Sequence, residues 1–228
     1  LPETHRFERA RSEGRTEEAS LADLLRPAFR VRFLALFVLA VAASAAAGPA
    51  FGFASYRATH DFGRTPAEVS AMILMGGGLG FGGWFVFGAL AERIGRRAVG
   101  LLAYLGAGMA IAFFYRAGWL QTAFAAMVFT EAGTALTMNA LGTELFPTEI
   151  RSTAKSWVTT AGFIGSMLGL AIVGAFADSF GGAAQVILVL AAVPVLTAPL
   201  LLLLPEPMGR ELEDVSRASP KTVPGTVF

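Results

Sequence analysis

Six apolar runs of 18 to 24 residues, separated by short charged clusters, leave this chain few folds to choose from. They cover roughly Phe33–Ser55, Ala67–Leu90, Ala98–Tyr115, Leu120–Thr143, Ser156–Ala177 and Ala183–Leu204. At about 1.5 Å per residue, each run is long enough as a helix to cross ~30 Å of hydrocarbon. Lipid offers no partners to backbone N–H and C=O groups, and a helix satisfies them internally. The expected fold is therefore all-α, a membrane protein with six transmembrane helices. Composition agrees: charged residues make up 15% of the chain, against about 25% in a soluble domain. Mean hydropathy is +0.59 despite two polar tails.

Three regions follow from this pattern. Residues 1–30 read as a cytoplasmic linker, rich in Arg and Glu, ending in a short surface helix over Leu21–Arg26 capped by Ser20. Leu21, Leu24 and Leu25 would share its apolar face, along the membrane surface. Residues 31–204 form the six-helix domain, and 205–228 a cytoplasmic tail. Gly48-Pro49 is expected to kink the first span near its outer end. Four of the five connections are short, Tyr56–Pro66 being the exception, and such brevity forces neighbouring spans to run antiparallel. The last span, rich in Leu and Val, is expected to face lipid.

Orientation comes from the distribution of Lys and Arg. With the amino end in the cytoplasm, that side holds fifteen of the eighteen, and the other side only Arg57, Arg64 and Arg116. Both termini are expected in the cytoplasm, in a multi-pass protein of the cytoplasmic membrane. Net charge is +1 and no Cys is present. No nucleic-acid partner, disulfide, metal site or cofactor is expected. Gly78-x-Gly80-x-x-Gly83 fits a dinucleotide fingerprint as a pattern but lies inside an apolar span, without the strand–turn–helix context that gives the motif its chemistry. The glycines between Gly76 and Gly88, with Gly165 and Gly169, read instead as smooth helix faces for close packing.

One ionisable residue interrupts the apolar runs near a midpoint. Glu131 sits about twelve residues into the fourth span, roughly 18 Å from its outer end. An acidic side chain at that depth costs about 2.5–3.5 kcal/mol on insertion scales, so it must face a wet cavity or the bundle interior. Thr134 and Met138 follow on the same face, with Asn139 one step round. These four are the candidate substrate and proton-coupling residues; the competing reading is a structural Glu hydrogen-bonded to a neighbouring helix. Pro49, Tyr56 and Arg57, towards the outer end of the first span, are candidates for an outer gate. Trp119 and Trp157 read as interfacial anchors.

The first cytoplasmic loop reads Gly88-Ala-Leu-Ala-Glu92-Arg93-Ile-Gly95-Arg96-Arg97. It resembles the signature of the major facilitator superfamily, with Glu92 where that family usually has Asp. Between the fourth and fifth spans, Glu144-Leu-Phe-Pro147-Thr-Glu149-Ile-Arg151 resembles the Glu-x-x-Pro-x-x-x-Arg motif of the sugar-porter group and of related metabolite–proton symporters. There Pro147 is expected to end a helix. After the last span, Pro205-Glu206-Pro-Met-Gly209-Arg210-Glu-Leu212-Glu213 is similar to the sugar-porter exit sequence. Leu1-Pro2-Glu3-Thr4 echoes it, as expected of a segment preceded by another six-span half. Two hexose-transport features are absent: paired glutamines in the first span and a Gly-Pro-rich, Trp-containing fourth span.

The resemblance implies half of a twelve-span carrier, built as two inverted three-helix repeats. It implies alternating access, with a small metabolite and a proton as the transported partners. The lipid bilayer and an amino-terminal six-helix half are its structural partners. It also implies a cytoplasmic latch made by Gly88, Glu92, Arg93, Gly95, Arg96, Arg97, Glu144, Pro147 and Arg151, in which Glu92, Arg93, Glu144 and Arg151 meet. The alternative class is a six-span channel or structural membrane subunit. An intramembrane protease is disfavoured: Ser166 is followed by Met167, not Gly, and the only histidines are His5 and His60.

Overall fold

A computed structural model describes residues 21–116 and 118–206, and among these every regular element is helical. In chain order they are α1 (Leu21–Leu24), α2 (Arg30–Gly52), α3 (Ala54–His60), α4 (Pro66–Ile94) and α5 (Arg96–Arg116). Then come α6 (Leu120–Glu144), α7 (Thr148–Phe180), α8 (Ala183–Leu190), α9 (Ala192–Thr197) and a 3₁₀ helix over Ala198–Leu203. The linker with its Ser20 cap, and the exit motif and tail from 207 onward, lie outside the described residues.

Five segments are long and apolar enough to cross a membrane: Arg30–His60, Pro66–Ile94, Arg96–Arg116, Thr148–Phe180 and Ala183–Leu203. The fourth expected span, α6, forms a 25-residue helix but falls short on composition. It carries Gln121, Glu131, Asn139 and Glu144. A helix this polar is stable in such a bundle because its neighbours cover it. It packs on α4 along one side and on α5 along another.

Several boundaries differ from the sequence reading. The first span passes through Pro49 and breaks four residues later, at Phe53, before resuming to His60. Proline leaves the carbonyl four residues earlier, that of Ala45, without its helical N–H. Pro147 does not end a helix but begins one: it is the N-cap of α7, at φ −58 and ψ 156, and α6 has already stopped at Glu144. A proline suits the start of a helix because it has no N–H to leave unsatisfied. The turn between the two helices shrinks to Leu145–Pro147. The last span is three pieces, with Pro194 inside α9 and Pro199 opening the 3₁₀ turn, so its i→i−4 ladder is interrupted twice. The surface helix is one turn only, and Leu24 is fully buried in the core rather than lying on a surface.

The two most extensive helix pairings are α2 with α7 and α4 with α6. Both are parallel, since contacts advance in the same direction along each partner. A Cβ added at Gly165 would come 2.3 Å from the Val41 carbonyl, and one at Gly169 would come 2.1 Å from that of Ala45. The carbonyl freed by Pro49 therefore faces a residue without a side chain. In the other pair, Gly76, Gly80 and Gly83 receive Gln121–Phe124, Ala125–Val128 and Phe129–Ala132 of α6. Small residues let backbones approach where no water-driven burial holds helices together. Gly77, Gly78 and Gly82 meet nothing within 4 Å, so only part of the glycine-rich stretch packs inside this chain.

Between the pairs, α5 is tied to α2 by two tyrosines. The Tyr104 hydroxyl donates to the Leu39 carbonyl at 3.1 Å, and the Tyr115 hydroxyl to that of Ala50 at 2.7 Å. Each such bond contributes about 1 kcal/mol net, and leaving the hydroxyl unpaired would cost more. Two large apolar clusters fill the bundle, one around Leu36, Leu39, Leu141 and Phe146, the other around Phe114, Met127 and Ile187, with a smaller one around Phe87 and Val99.

Candidate functional site

Three helices line an open cavity of about 180 Å³ at the level of Glu131. α2 contributes Ala40, Ala43 and Ser44; α6 contributes Glu131, Thr134, Ala135, Met138 and Asn139; α7 contributes Lys155, Val158, Thr159 and Gly162. The four residues singled out on the fourth span thus line one space. Helical period explains why: 131, 134, 135 and 138 fall on one face of α6. The opposite wall is small, Ala40, Ala43 and Gly162, which leaves the volume open. Ser44 lies beside Gly162, and the Ser166 hydroxyl reaches the Ser44 carbonyl at 3.5 Å.

Glu131 is partly buried, and its nearest polar partner is on its own helix. The Thr134 hydroxyl donates to the Glu131 backbone carbonyl at 2.8 Å and also lies within reach of its carboxylate. Thr134 itself is almost fully buried. Asn139 is exposed and donates to the Ala135 carbonyl at 2.9 Å. No ion pair joins Glu131 to another described residue. A carboxylate so placed can exchange a proton with a water-filled cavity, and its preference for the neutral form depends on what else enters.

At the end of the bundle that carries the motif loops, three motifs converge. The Glu206 carboxylate accepts from the backbone N–H groups of Arg96, at 2.8 Å, and Arg97, at 3.0 Å. It thereby caps α5, where free N–H groups and the helix dipole favour a negative charge. Gly95 makes this approach possible. Its φ is +93, and a Cβ there would meet the Glu206 carboxyl at 2.9 Å. Arg96 pairs with Glu144 at 3.4 Å and donates to the Ala91 carbonyl, while Arg97 donates to the Leu202 carbonyl at 2.7 Å. Arg151 donates to the Phe146 carbonyl at 3.4 Å, and Arg32 to that of Leu145 at 3.3 Å, so both brace the turn before Pro147.

The latch residues are therefore brought together differently from the sequence expectation. Arg96, not Arg93 or Arg151, faces Glu144, and Glu206 joins them from the last span. Glu92 and Arg93 are exposed and make no ion pair among the described residues. Gly88 packs on Leu136. Helix geometry accounts for the change: Gly95 ends α4, and the turn swings Arg96 and Arg97 inward as the first residues of α5.

At the opposite end, Arg57 is largely buried. It pairs with Asp61 at 2.8 Å, donates to the Tyr115 carbonyl, and lies over the rings of Phe62 and Tyr115 at 5.2 and 5.3 Å. Tyr56 points outward and stacks on His60. Arg57 and Tyr56 border a second cavity of about 330 Å³, with Asp61, Tyr115 and Gly181. Pro49 lies a turn away and lines neither cavity.

Sequence reasoning missed Ser44, Lys155, Thr159 and Glu206 as site residues. Two of them carried a signal. Ser44 is the lone polar side chain between Arg32 and Gly48, and Lys155 is the only lysine before the tail, in a chain whose other cations there are all arginines.

Among known families, the model of the Major Facilitator Superfamily matches residues 33–224. Comparison with curated proteins gives no significant match.

Proposed function

The chain belongs to the Major Facilitator Superfamily, a family of membrane transporters rather than enzymes, and on that premise we propose that it forms one half of a twelve-span, proton-coupled carrier for a small metabolite. The observation that carries the coupling role is Glu131 in a cavity walled by α2, α6 and α7. An ionisable side chain deep in a span is disfavoured unless it does something an apolar residue cannot. Protonation removes the charge, so cavity closure can be tied to proton uptake.

Six spans arranged as two inverted repeats are part of this reading, with α6 as the fourth despite its polarity. The helix pairing supports it. Exchanging the first, second and third spans for the fourth, fifth and sixth turns the α2–α7 contact into the α6–α4 contact, and these are the two largest. In both, glycines of the second or fifth span accept carbonyls of the first or fourth. A complementary half is supported by uncovered apolar surface: only 22% of the apolar windows of α4 and α7 is buried, against 67% for the first span. The charge asymmetry supports cytoplasmic termini. The three motifs support a place near the sugar porters and metabolite–proton symporters, and the missing hexose features turn the reading away from glucose-like substrates.

Glu131→Gln in the complete carrier tests this. It preserves shape and mimics the protonated state. Accumulation driven by a pH gradient should be lost, while exchange of substrate between the two sides persists, because exchange needs no net proton movement. Wild-type pH dependence in Glu131→Gln would make Glu131 structural.

A further inference from the structure

We propose that Lys155 is the anchoring cation of the same cavity, and that the transported metabolite is a small monoanion bearing a carboxylate. The inference rests on the reading of Glu131 as the coupling residue. Lys155 and Glu131 line one space from two helices. α6 and α7 run antiparallel across the turn Leu145–Pro147. Counting outward from that turn, Lys155 lies level with Thr137, and Glu131 level with Ala161. The two residues are thus about 9 Å apart along the helix axes. Lys155, Thr159 and Gly162 share a face of α7, as 131, 135 and 138 share one of α6. The space between holds roughly the volume of six waters, enough for a carboxylate with a small organic body.

The positioning of the ammonium is what gives this meaning. Among the described residues Lys155 makes no ion pair. The other groups facing the space are few. α2 offers only Ala40, Ala43 and the Ser44 hydroxyl; α6 adds the Asn139 amide and α7 the Thr159 hydroxyl. From α5, the buried Tyr104 phenol feels the Glu131 charge but is occupied by the Leu39 carbonyl. Ionised Glu131 and Lys155 therefore sum to zero. Protonating Glu131 leaves the positive charge of Lys155, an exposed side chain, without that counter-ion. A monoanion entering with the proton restores neutrality; an uncharged solute leaves the excess, and a cation doubles it. The solute carboxylate and the Glu131 carboxylate become alternative counter-ions of one ammonium. One proton and one monoanion then cross together, with no net charge moved by the cavity.

Lysine suits the role because its ammonium is a compact charge on a flexible stem, able to follow the solute. The bland alternative is a positive-inside anchor at the start of a span, which any cation would serve equally and no solute would touch.

The complete carrier in liposomes, assayed by counterflow with lactate, benzoate, succinate, xylose and choline, decides between them. Lactate or benzoate should exchange, with succinate, xylose and choline at least tenfold slower. Lys155→Gln should reduce acid exchange at least tenfold, and Lys155→Arg should retain a measurable part. In Lys155→Cys, coupling an aminoethyl group to the thiol should restore exchange, and coupling a sulfonatoethyl group should not; this rescue separates a binding role from misfolding. Exchange of xylose or choline in preference to acids, exchange of none of the acids, or wild-type acid exchange in Lys155→Gln would each overturn the proposal. Loss in Lys155→Gln together with normal pH-driven accumulation in Glu131→Gln would support the anion site and overturn the coupling role of Glu131 instead.

Discussion

The α2–α7 pair and the α4–α6 pair are built on one plan and differ in one respect. In each, two long helices run parallel, and glycines on one partner receive backbone carbonyls of the other. The carbonyl donor in the first pair is almost wholly apolar, with Ser44 its lone polar residue between Arg32 and Gly48. In the second pair it is α6, which carries Glu131 and is too polar to be recognised as a span by composition. Close backbone contact is what lets the second pair tolerate this. The glycine face of α4 holds α6 in register without asking its far side to be apolar, so that side is free to line the cavity. The packing is shared, and the chemistry is placed on one copy of it.

The strongest way to break the comparison is to fill the glycine faces. Gly169→Ala places a methyl 2.1 Å from the Ala45 carbonyl, a backbone atom that cannot turn aside. Overpacking of this kind costs about 1–3 kcal/mol and occasionally more, and the result here should lie at or beyond the top of that range. Gly83→Ala, 2.4 Å from the Phe129 carbonyl, should be nearly as harmful. Gly76→Ala should be milder, because its nearest atom, at 2.9 Å, belongs to the Phe124 ring. Gly78→Ala meets nothing and should be neutral or slightly stabilising within this chain, since Ala is the better helix former by ~1 kcal/mol. Thermal unfolding in detergent should rank the four in that order. Equal loss in Gly169→Ala and Gly78→Ala would mean the glycines act through something other than these contacts.

Much of this architecture was legible from residues alone, and the failures have physical causes. Apolar runs located every long helix because lipid and helix period leave little choice. They could not show that α2 passes through Pro49, since a proline near an exposed helix end is tolerated when a glycine on the neighbour accepts the freed carbonyl. They misjudged Pro147, because a proline marks a boundary without saying on which side the helix lies. In the cavity, Glu131, Thr134 and Met138 were legible because they share one helix and one period. Lys155, Ser44 and Thr159 were not, because they arrive from other helices and only the packing of α2 and α7 brings them in. Arg96 replaced Arg93 opposite Glu144 for a similar reason: the direction of a side chain after a positive-φ glycine is not encoded in spacing.

A second prediction sharpens the difference between the pairs. If α6 carries its charge for function and not for packing, Glu131→Met should stabilise the fold while abolishing pH-driven transport. Replacing a partly buried carboxylate by an apolar side chain of similar volume relieves a desolvation cost. Ser44→Ala, on the apolar counterpart, should change stability by less than about 0.5 kcal/mol. Destabilisation by Glu131→Met would assign Glu131 to the packing of its pair and erase the distinction.

The smallest expected effect concerns how the glycine-bearing helices begin. α4 starts with a reciprocal cap: the Glu68 N–H donates to the Thr65 hydroxyl at 3.3 Å, and the Thr65 N–H donates to the Glu68 carboxylate at 2.8 Å. Pro66 occupies the first helical position, and Arg64 pairs with Glu68 at 2.9 Å. α7 starts with Pro147 and has no side-chain cap, although Thr148 and Glu149 follow it. Its first turn is instead braced by Arg151 and Arg32 on the preceding carbonyls. Thr65→Ala removes one orphan N–H partner and should cost about 1 kcal/mol. Thr148→Ala, exposed and outside any cap, should cost a few tenths at most. Hydrogen exchange of the first turn of each helix reads the two directly. Faster exchange at 66–69 in Thr65→Ala, with 148–151 unchanged in Thr148→Ala, is the expected outcome. Equal acceleration in both would mean that α7 relies on a threonine cap after all, and that the two helices begin alike.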